Sequence, residues 1–210
     1  IRLSLVGSEM CIRDRQLAER HNLMLVEDDP LADFKPTSSV RLSTLDQLER
    51  TIYIGSFSKS FSAALRVGFI ACNAALAADL ADLKALIHVS GSEYCERMVD
   101  VMLREGHYER HLVRLRKKLG AATTQALRLL DDLGCDVFAR SEQSLYLWAS
   151  FPGMDDTVAL AERLRARRVT MAPGRVFCLD PSIGARWSRC NVGALGDPRF
   201  QAALGPLLRR

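Results

Sequence analysis

The chain has 210 residues, 48% apolar and 26% charged, with 29 basic residues against 25 acidic ones and a net charge of +4. That balance excludes a disordered, collagen-like or strongly polyelectrolyte chain and allows one large domain or two small ones with true cores. No apolar run reaches membrane-spanning length and no secretory pattern opens the chain, so a cytoplasmic location is the expectation.

The first stretch, "IRLSLVGSEMCIRDR" (1–15), has no steady period and resembles the translated read-through of a sequencing adapter. It is expected to be non-native and is set aside, which makes the chain a piece of a longer protein. From Gln16 the pattern is regular. A helix end over 16–21 leads through Asn22 into "LMLVED" (23–28), a run of buried-strand type. "PLADFKPTSS" reads as loop. "TIYIGSF" (51–57) and "RVGFIACN" (66–73) are two more buried-strand candidates, with Gly68 marking a close backbone approach. Three such strands predict the edge of a mainly parallel α/β sheet.

Helical spacing follows over 74–89, over 92–105 behind a Ser92 cap, and over 107–133, a helix long enough to link two domains. Beyond Gly134 the period changes. "CDVFA", "SLYLWAS", "VTMAP" and "RWSRCNVG" read as strands. "DTVALAERLRARR" reads as a helix behind an Asp155/Asp156 cap, and "PRFQAALGPLLRR" as a terminal helix with Pro198 in its first turn. The expected division is a remnant of a large domain over 16–106, an inter-domain helix over 107–133 and a small α+β domain over 134–210.

The basic stretches "RHLVRLRKK" (110–118) and "RLRARR" (163–168) read as solvated helix faces rather than a nucleic-acid footprint. Cys11, Cys72, Cys95, Cys135, Cys178 and Cys190 form no C-x-x-C pair, and buried free thiols are expected rather than disulfides or a zinc site. His107 and His111 stand at i, i+4, but "HYERH" is not H-E-x-x-H and brings no third ligand, so no metal site is assigned.

Three places could carry chemistry. In "GSFSKSFSAALRVGF" (55–69), Lys59 stands among serines just after a strand. An isolated lysine of this kind is most often a solvated loop residue. Here it ends a strand, where open α/β sheets place ligands, and Ser56, Ser58 and Arg66 can hold an anion. A lysine beside other cations and partly desolvated is available as a free amine nucleophile. In "VEDDP" (26–30) a carboxylate ends the first strand, either capping the next turn or gripping a protonated ring nitrogen. In "SRCNVG" (188–193) Arg189 sits on a strand, where it must face solvent, a carboxylate or a ligand; Arg175 and Arg186 compete for that part.

In this order the three segments resemble the fold-type I pyridoxal-phosphate enzymes of the class I/II aminotransferase group. The resemblance spans roughly 16–210 and implies the C-terminal part of the aspartate aminotransferase-like α/β fold: part of the large-domain parallel sheet and the small α+β domain. It implies pyridoxal 5'-phosphate as cofactor. Lys59 then forms the Schiff base and moves the proton, Asp28 pairs with the pyridine nitrogen, and Ser56, Ser58 and Arg66 bind the phosphate. Arg189 becomes the clamp for the substrate α-carboxylate.

Two departures stand out. Leu31 occupies the position of the family's tyrosine, and Gln143-Ser144 replaces the usual Gly-Gly before "LYLW". The family's N-terminal half, with its phosphate loop and ring-stacking aromatic, has no counterpart here, so the piece is expected to be inactive alone.

"EDDPLADFKP" and "REGHYERHLVRLRKKL" look most like the aminotransferase-like domains of GntR-type regulators of the MocR class. That implies a homodimer in the full-length protein, an amino acid or 2-oxo acid ligand, no membrane, and DNA contact only through an N-terminal reader outside these residues. A stand-alone aminotransferase and an interaction module without cofactor are the alternatives.

Overall fold

Helix α1 (Leu3–Arg20) opens the chain in a computed structural model that describes residues 3–35 and 39–208. The helix expected over 16–21 therefore reaches back through most of the adapter-like stretch, whose residues 1 and 2 lie outside the described ones. Once a turn exists, adding residues of ordinary propensity is cheap, so no apolar period is needed to extend it. Ala18 is the one residue among 9–20 that is buried. Asn22 ends the helix in the left-handed region at φ 50, while the Leu23 N–H returns to Ala18 O at 2.9 Å and the Asn22 N–H to Glu19 O at 3.4 Å.

Two compact units follow by contact, Ile1–Val113 and Arg114–Arg210. In the first, β1 (Leu25–Asp28), β2 (Thr51–Ser56) and β3 (Gly68–Ala71) form a sheet in that order. The β1–β2 pair is parallel, while β3 joins the expected sheet edge as an antiparallel strand. The eleven residues from Phe57 to Val67 are too few for a crossover, so β3 must run back beside β2. The strands are also less buried than their apolar content predicted: Val26 is 61% exposed and Ile70 53%.

The loop expected over 30–39 contains a 3-10 turn at Ala32–Phe34, and its residues 36–38 lie outside the described ones. The short helix α2 (Leu42–Asp46) is capped by Glu27, whose carboxylate accepts from Leu42 N at 3.2 Å and from Ser43 N at 3.0 Å. Helices α3 (Ala74–His88) and α4 (Glu93–Arg104) start on side-chain caps: Asn73 accepts from Leu76 N and the expected Ser92 accepts from Cys95 N. Helix α5 (His107–Asp132) begins in the first unit and continues into the second.

The second unit is an antiparallel four-stranded sheet in the order β4 (Asp136–Val137), β5 (Tyr146–Ser150), β7 (Trp187–Asn191), β6 (Ala172–Pro173). Around it lie α6 (Thr157–Ala166), α7 (Pro181–Gly184), α8 (Val192–Leu195) and α9 (Pro198–Leu208). Residues 209 and 210 of the expected terminal helix lie outside the described ones. Strand side chains alternate, so Leu147, Ala149, Ser188 and Cys190 are buried while Trp148 and Arg189 face the other way. Leu130, Leu160, Leu164, Leu195 and Leu204 are fully buried, each stabilising the fold by about 1.5–3 kcal/mol on transfer grounds. Of the six thiols, Cys135 and Cys190 are buried and the other four only half-buried, a correction to the expected pattern.

Candidate functional site

Parallel pairing brings the first two sequence elements to one end of a sheet. Asp28, the last residue of β1, stands opposite Ile54 of β2, and β2 runs on two residues further to Ser56 before the lysine turn. Ser56 in turn pairs with Gly68 at the start of β3, two residues after Arg66. A Cβ on Gly68 would lie 2.8 Å from the Gly55 carbonyl oxygen, so the close approach expected there is real. The ends that gather Asp28, Ser56 and Lys59 are the carboxyl ends of parallel strands, the place where open α/β sheets bind ligands.

The two adjacent aspartates have different employment. Asp29 is 4% exposed, with Lys35 Nζ at 2.7 Å from one carboxylate oxygen and Arg41 Nε at 3.5 Å from the other. Asp28 is exposed, and no hydrogen bond or ion pair engages its carboxylate among the described residues. Asp29 holds the loop, which leaves Asp28 free for a ligand.

Past β2 the chain makes a tight turn, with Phe61 N donating to Phe57 O at 2.9 Å. Lys59 is exposed on that turn, and its amine has no carboxylate partner among the described residues. Ser58 N donates to Ser56 Oγ at 3.2 Å, which orients the serine hydroxyl. Arg66 takes a left-handed backbone at φ 55 and is exposed, also without a carboxylate partner among the described residues. Ser56, Ser58 and Arg66 line a cavity of about 1260 Å³ together with Phe57, Phe69 and Tyr108, whereas Asp28 and Lys59 are not part of its wall.

Sequence inspection missed a partly buried cluster beneath this turn. Ser60 Oγ lies 2.6 Å from the Tyr108 hydroxyl, which donates to Asp33 Oδ2 at 2.5 Å, and His111 Nε2 lies 2.8 Å from Ser60 O. The separations of 48 and 75 residues put these partners beyond any local pattern. His107 instead meets Glu105 at 2.9 Å and Arg110 at 2.7 Å, so the two histidines of "HYERH" serve different neighbours.

Arg189 belongs to the second unit. On β7 it stands opposite Trp148, with its guanidinium 4.2 Å from the Phe177 ring centre and 4.6 Å from that of Tyr146. Such cation–π contacts hold the planar group without neutralising it. The two competing arginines are engaged with carboxylates: Arg175 meets Asp156 at 2.6 Å, and Arg186 meets Asp136 at 3.3 Å. Of the three, Arg189 alone has no carboxylate partner among the described residues.

Known proteins resemble this chain in sequence and in fold. The HTH-type transcriptional regulator NorG of Staphylococcus aureus (strain USA300) is 31% identical over 166 residues, which cover 76% of this chain and 37% of NorG. The HTH-type transcriptional regulator TauR of Rhodobacter capsulatus is 30% identical over 196 residues, covering 91% of this chain and 40% of TauR. The chain thus spans about two-fifths of the length of these curated relatives.

Among solved structures, the α-aminoadipate aminotransferase LysN of Thermus thermophilus superposes with a TM-score of 0.78 at 24% identity, over 94% of this chain and 54% of LysN. The multiple substrate aminotransferase of Thermococcus profundus superposes at 0.80 and 19% identity, over 95% of this chain and 50% of its own. These two likenesses establish the fold: part of the large-domain sheet and a small α+β unit of the aspartate aminotransferase-like type. With residues 15–201 matching the model of the family described as aminotransferase class I and II, the chain belongs to that family.

Proposed function

We propose that the chain is a pyridoxal-phosphate-binding, aminotransferase-like part of a GntR-type regulator of the MocR class, with Lys59 as the covalent anchor. One observation supports this reading: Asp28, with an unpaired carboxylate, ends β1 beside β2, whose carboxyl end leads into the turn of the unpaired Lys59, while Ser56, Ser58 and Arg66 line one cavity beside that turn. The donor set fits the cofactor. Ser56 and Ser58 hydroxyls and the Arg66 guanidinium suit a phosphate, and the Lys59 amine suits an aldehyde. Ionised Asp28 suits a protonated ring nitrogen. LysN itself is described as complexed with N-(5'-phosphopyridoxyl)-L-leucine.

When bound, pyridoxal phosphate supplies an electron sink for bonds broken at an amino acid's α-carbon. The residues of this chain do the rest. Asp28 keeps the ring nitrogen protonated, and Ser56, Ser58 and Arg66 fix the phosphate end. The Lys59 amine, when free, accepts or returns a proton at the α-carbon. Arg189, in contact with the Tyr146 and Phe177 rings and free of carboxylate partners among the described residues, offers a two-point grip to the carboxylate of an amino acid or 2-oxo acid.

The regulator reading is supported by relatives such as NorG and TauR, both described as HTH-type regulators. DNA contact would belong to a reader outside these residues, and a homodimer and a cytoplasmic setting are proposed with it. No helix among the described residues is long and apolar enough to cross a membrane. The second reading, a stand-alone aminotransferase, is suggested by solved structures of the same fold such as LysN and the Thermococcus profundus protein, both described as aminotransferases.

Incubation with pyridoxal phosphate, borohydride reduction and peptide mass analysis tests the anchor. Label is expected on Lys59 and is expected to vanish in Lys59→Ala; unchanged label in that variant overturns the assignment. A regulator then holds an added amino acid without releasing a 2-oxo acid catalytically, whereas an enzyme turns it over.

A further inference from the structure

We propose that Tyr108 is a positioning residue for Lys59, clamping the lysine turn to the segment that follows Asp28. The proposal rests on the reading of Lys59 as the cofactor anchor. Its basis is a hydrogen-bonded chain joining three elements.

Ser60, the residue after Lys59, is 2% exposed, and Tyr108 is 6% exposed. An ionised carboxylate can only accept, so the Tyr108 O–H goes to Asp33 at 2.5 Å. The Tyr108 oxygen then accepts the Ser60 proton at 2.6 Å, giving the direction Ser60 to Tyr108 to Asp33. The Ser60 carbonyl is held as well, at 2.8 Å from His111 Nε2, which must carry the proton because a carbonyl cannot donate. Tyr108 and His111 stand three residues apart in the first turns of α5 and so share a face.

Packing reinforces the clamp. Phe57 and Phe61, on either side of Lys59, meet the Tyr108 ring edge-on at 5.5 and 6.2 Å. At the other end, Asp33 lies in the 3-10 turn five residues beyond Asp28, and that turn is tied back to the strand end by Ala32 N donating to Asp29 O at 3.2 Å. Lys59 itself stays exposed and unpaired, yet the next residue is fixed through its hydroxyl and its carbonyl. A nucleophile on a free loop would sample many positions; one anchored a single residue away is confined near its target. The same phenol touches the loop after Asp28, so it sets the spacing of the two groups that would hold opposite parts of one ligand.

Tyr108→Phe and Ser60→Ala in the full chain test this, with pyridoxal phosphate as the probe and borohydride-trapped label on Lys59 as the readout. Each variant is expected to raise the half-saturating concentration at Lys59 about tenfold, the loss typical of one hydrogen bond. Labelling of the exposed Lys117, outside the cavity that Ser56, Ser58 and Arg66 line, is expected to stay unchanged, while the melting temperature falls only by the few degrees that one lost buried hydrogen bond costs. The double variant is expected to be no worse than the poorer single one, because both remove one link.

Hydrogen exchange gives a readout without cofactor: Tyr108→Phe is expected to speed exchange in 57–62 and in 31–35 together. Unchanged half-saturation at Lys59, or faster exchange in one segment alone, overturns the proposal. If the unmutated chain takes no label at Lys59, the anchor reading fails, and the clamp stands or falls on exchange alone.

Discussion

Asp28 and Asp29 are the same residue type one position apart, and the fold gives them opposite fates. Strand alternation turns Asp29 inward, where Lys35 and Arg41 meet it, and leaves Asp28 exposed without a partner. Replacing each by alanine should separate the roles. Asp29→Ala is expected to cost about 1–3 kcal/mol in a denaturant titration, since a buried acceptor is lost and its partners are left unmatched. Asp28→Ala is expected to change stability by no more than about 0.5 kcal/mol while weakening retention of pyridoxal phosphate. Equal losses of stability would mean that Asp28 is structural too. The same contrast sorts the arginines of the second unit. Arg175 and Arg186 are tied to carboxylates, and Arg189, in contact with the Tyr146 and Phe177 rings, keeps its charge available.

At the level of elements, the β2–β3 hairpin does more for the site than any single side chain. It turns the chain through the lysine segment and returns it beside Ser56, so Arg66 and Ser56 arrive at the same sheet end. The return is tight: the Gly68 α-carbon faces the Gly55 carbonyl, and Gly55 in turn sits under the Phe69 ring. Gly68→Ala is therefore expected to destabilise the chain by about 1–3 kcal/mol through overpacking against backbone, measured by thermal or denaturant unfolding. It should also weaken pyridoxal phosphate capture, because Arg66 shifts with the strand. A neutral Gly68→Ala would show that the strands can part without cost.

These elements also show what was legible in advance. Apolar runs, caps and turn residues located β1, β2, β3 and the Ser92 and Asp156 caps. The antiparallel direction of β3 could also have been inferred, from the short loop before it. The exposure of Val26 and Ile70 could not, because apolar content does not tell which face another element covers.

For the molecule as a whole, the stability of the second unit carries a pH signature. Burial, with the neighbouring Cys190 next in weight, pushes the Cys135 thiol up from 9.0 to about 12. Burial likewise pushes Cys190 up to about 11. In the unfolded chain both thiols lose their protons near pH 9, while the folded chain keeps them. The stabilisation is therefore complete below pH 9 and is lost as the pH rises towards 12. Denaturant midpoints measured on either side of pH 9 should fall with rising pH, and the fall should be shallower in Cys135→Ala. A midpoint that rises across that range would contradict the burial of these thiols.

Most of the chain's identity was written locally. The Lys59 segment, the paired aspartates and the Arg189 strand are short stretches, and the roles proposed for them, phosphate grip, nucleophile and carboxylate clamp, each need only a few neighbouring residues. What only the tertiary structure decided is which of several equivalent groups is free to act. Asp28 rather than Asp29 is left unpaired, and Arg189 rather than Arg175 or Arg186 keeps its guanidinium open. Ser60 and Tyr108, unremarked in the sequence, meet beneath the lysine turn. The reason is physical: availability is set by burial and by partners brought from tens of residues away, and neither is a property of a residue's neighbours along the chain.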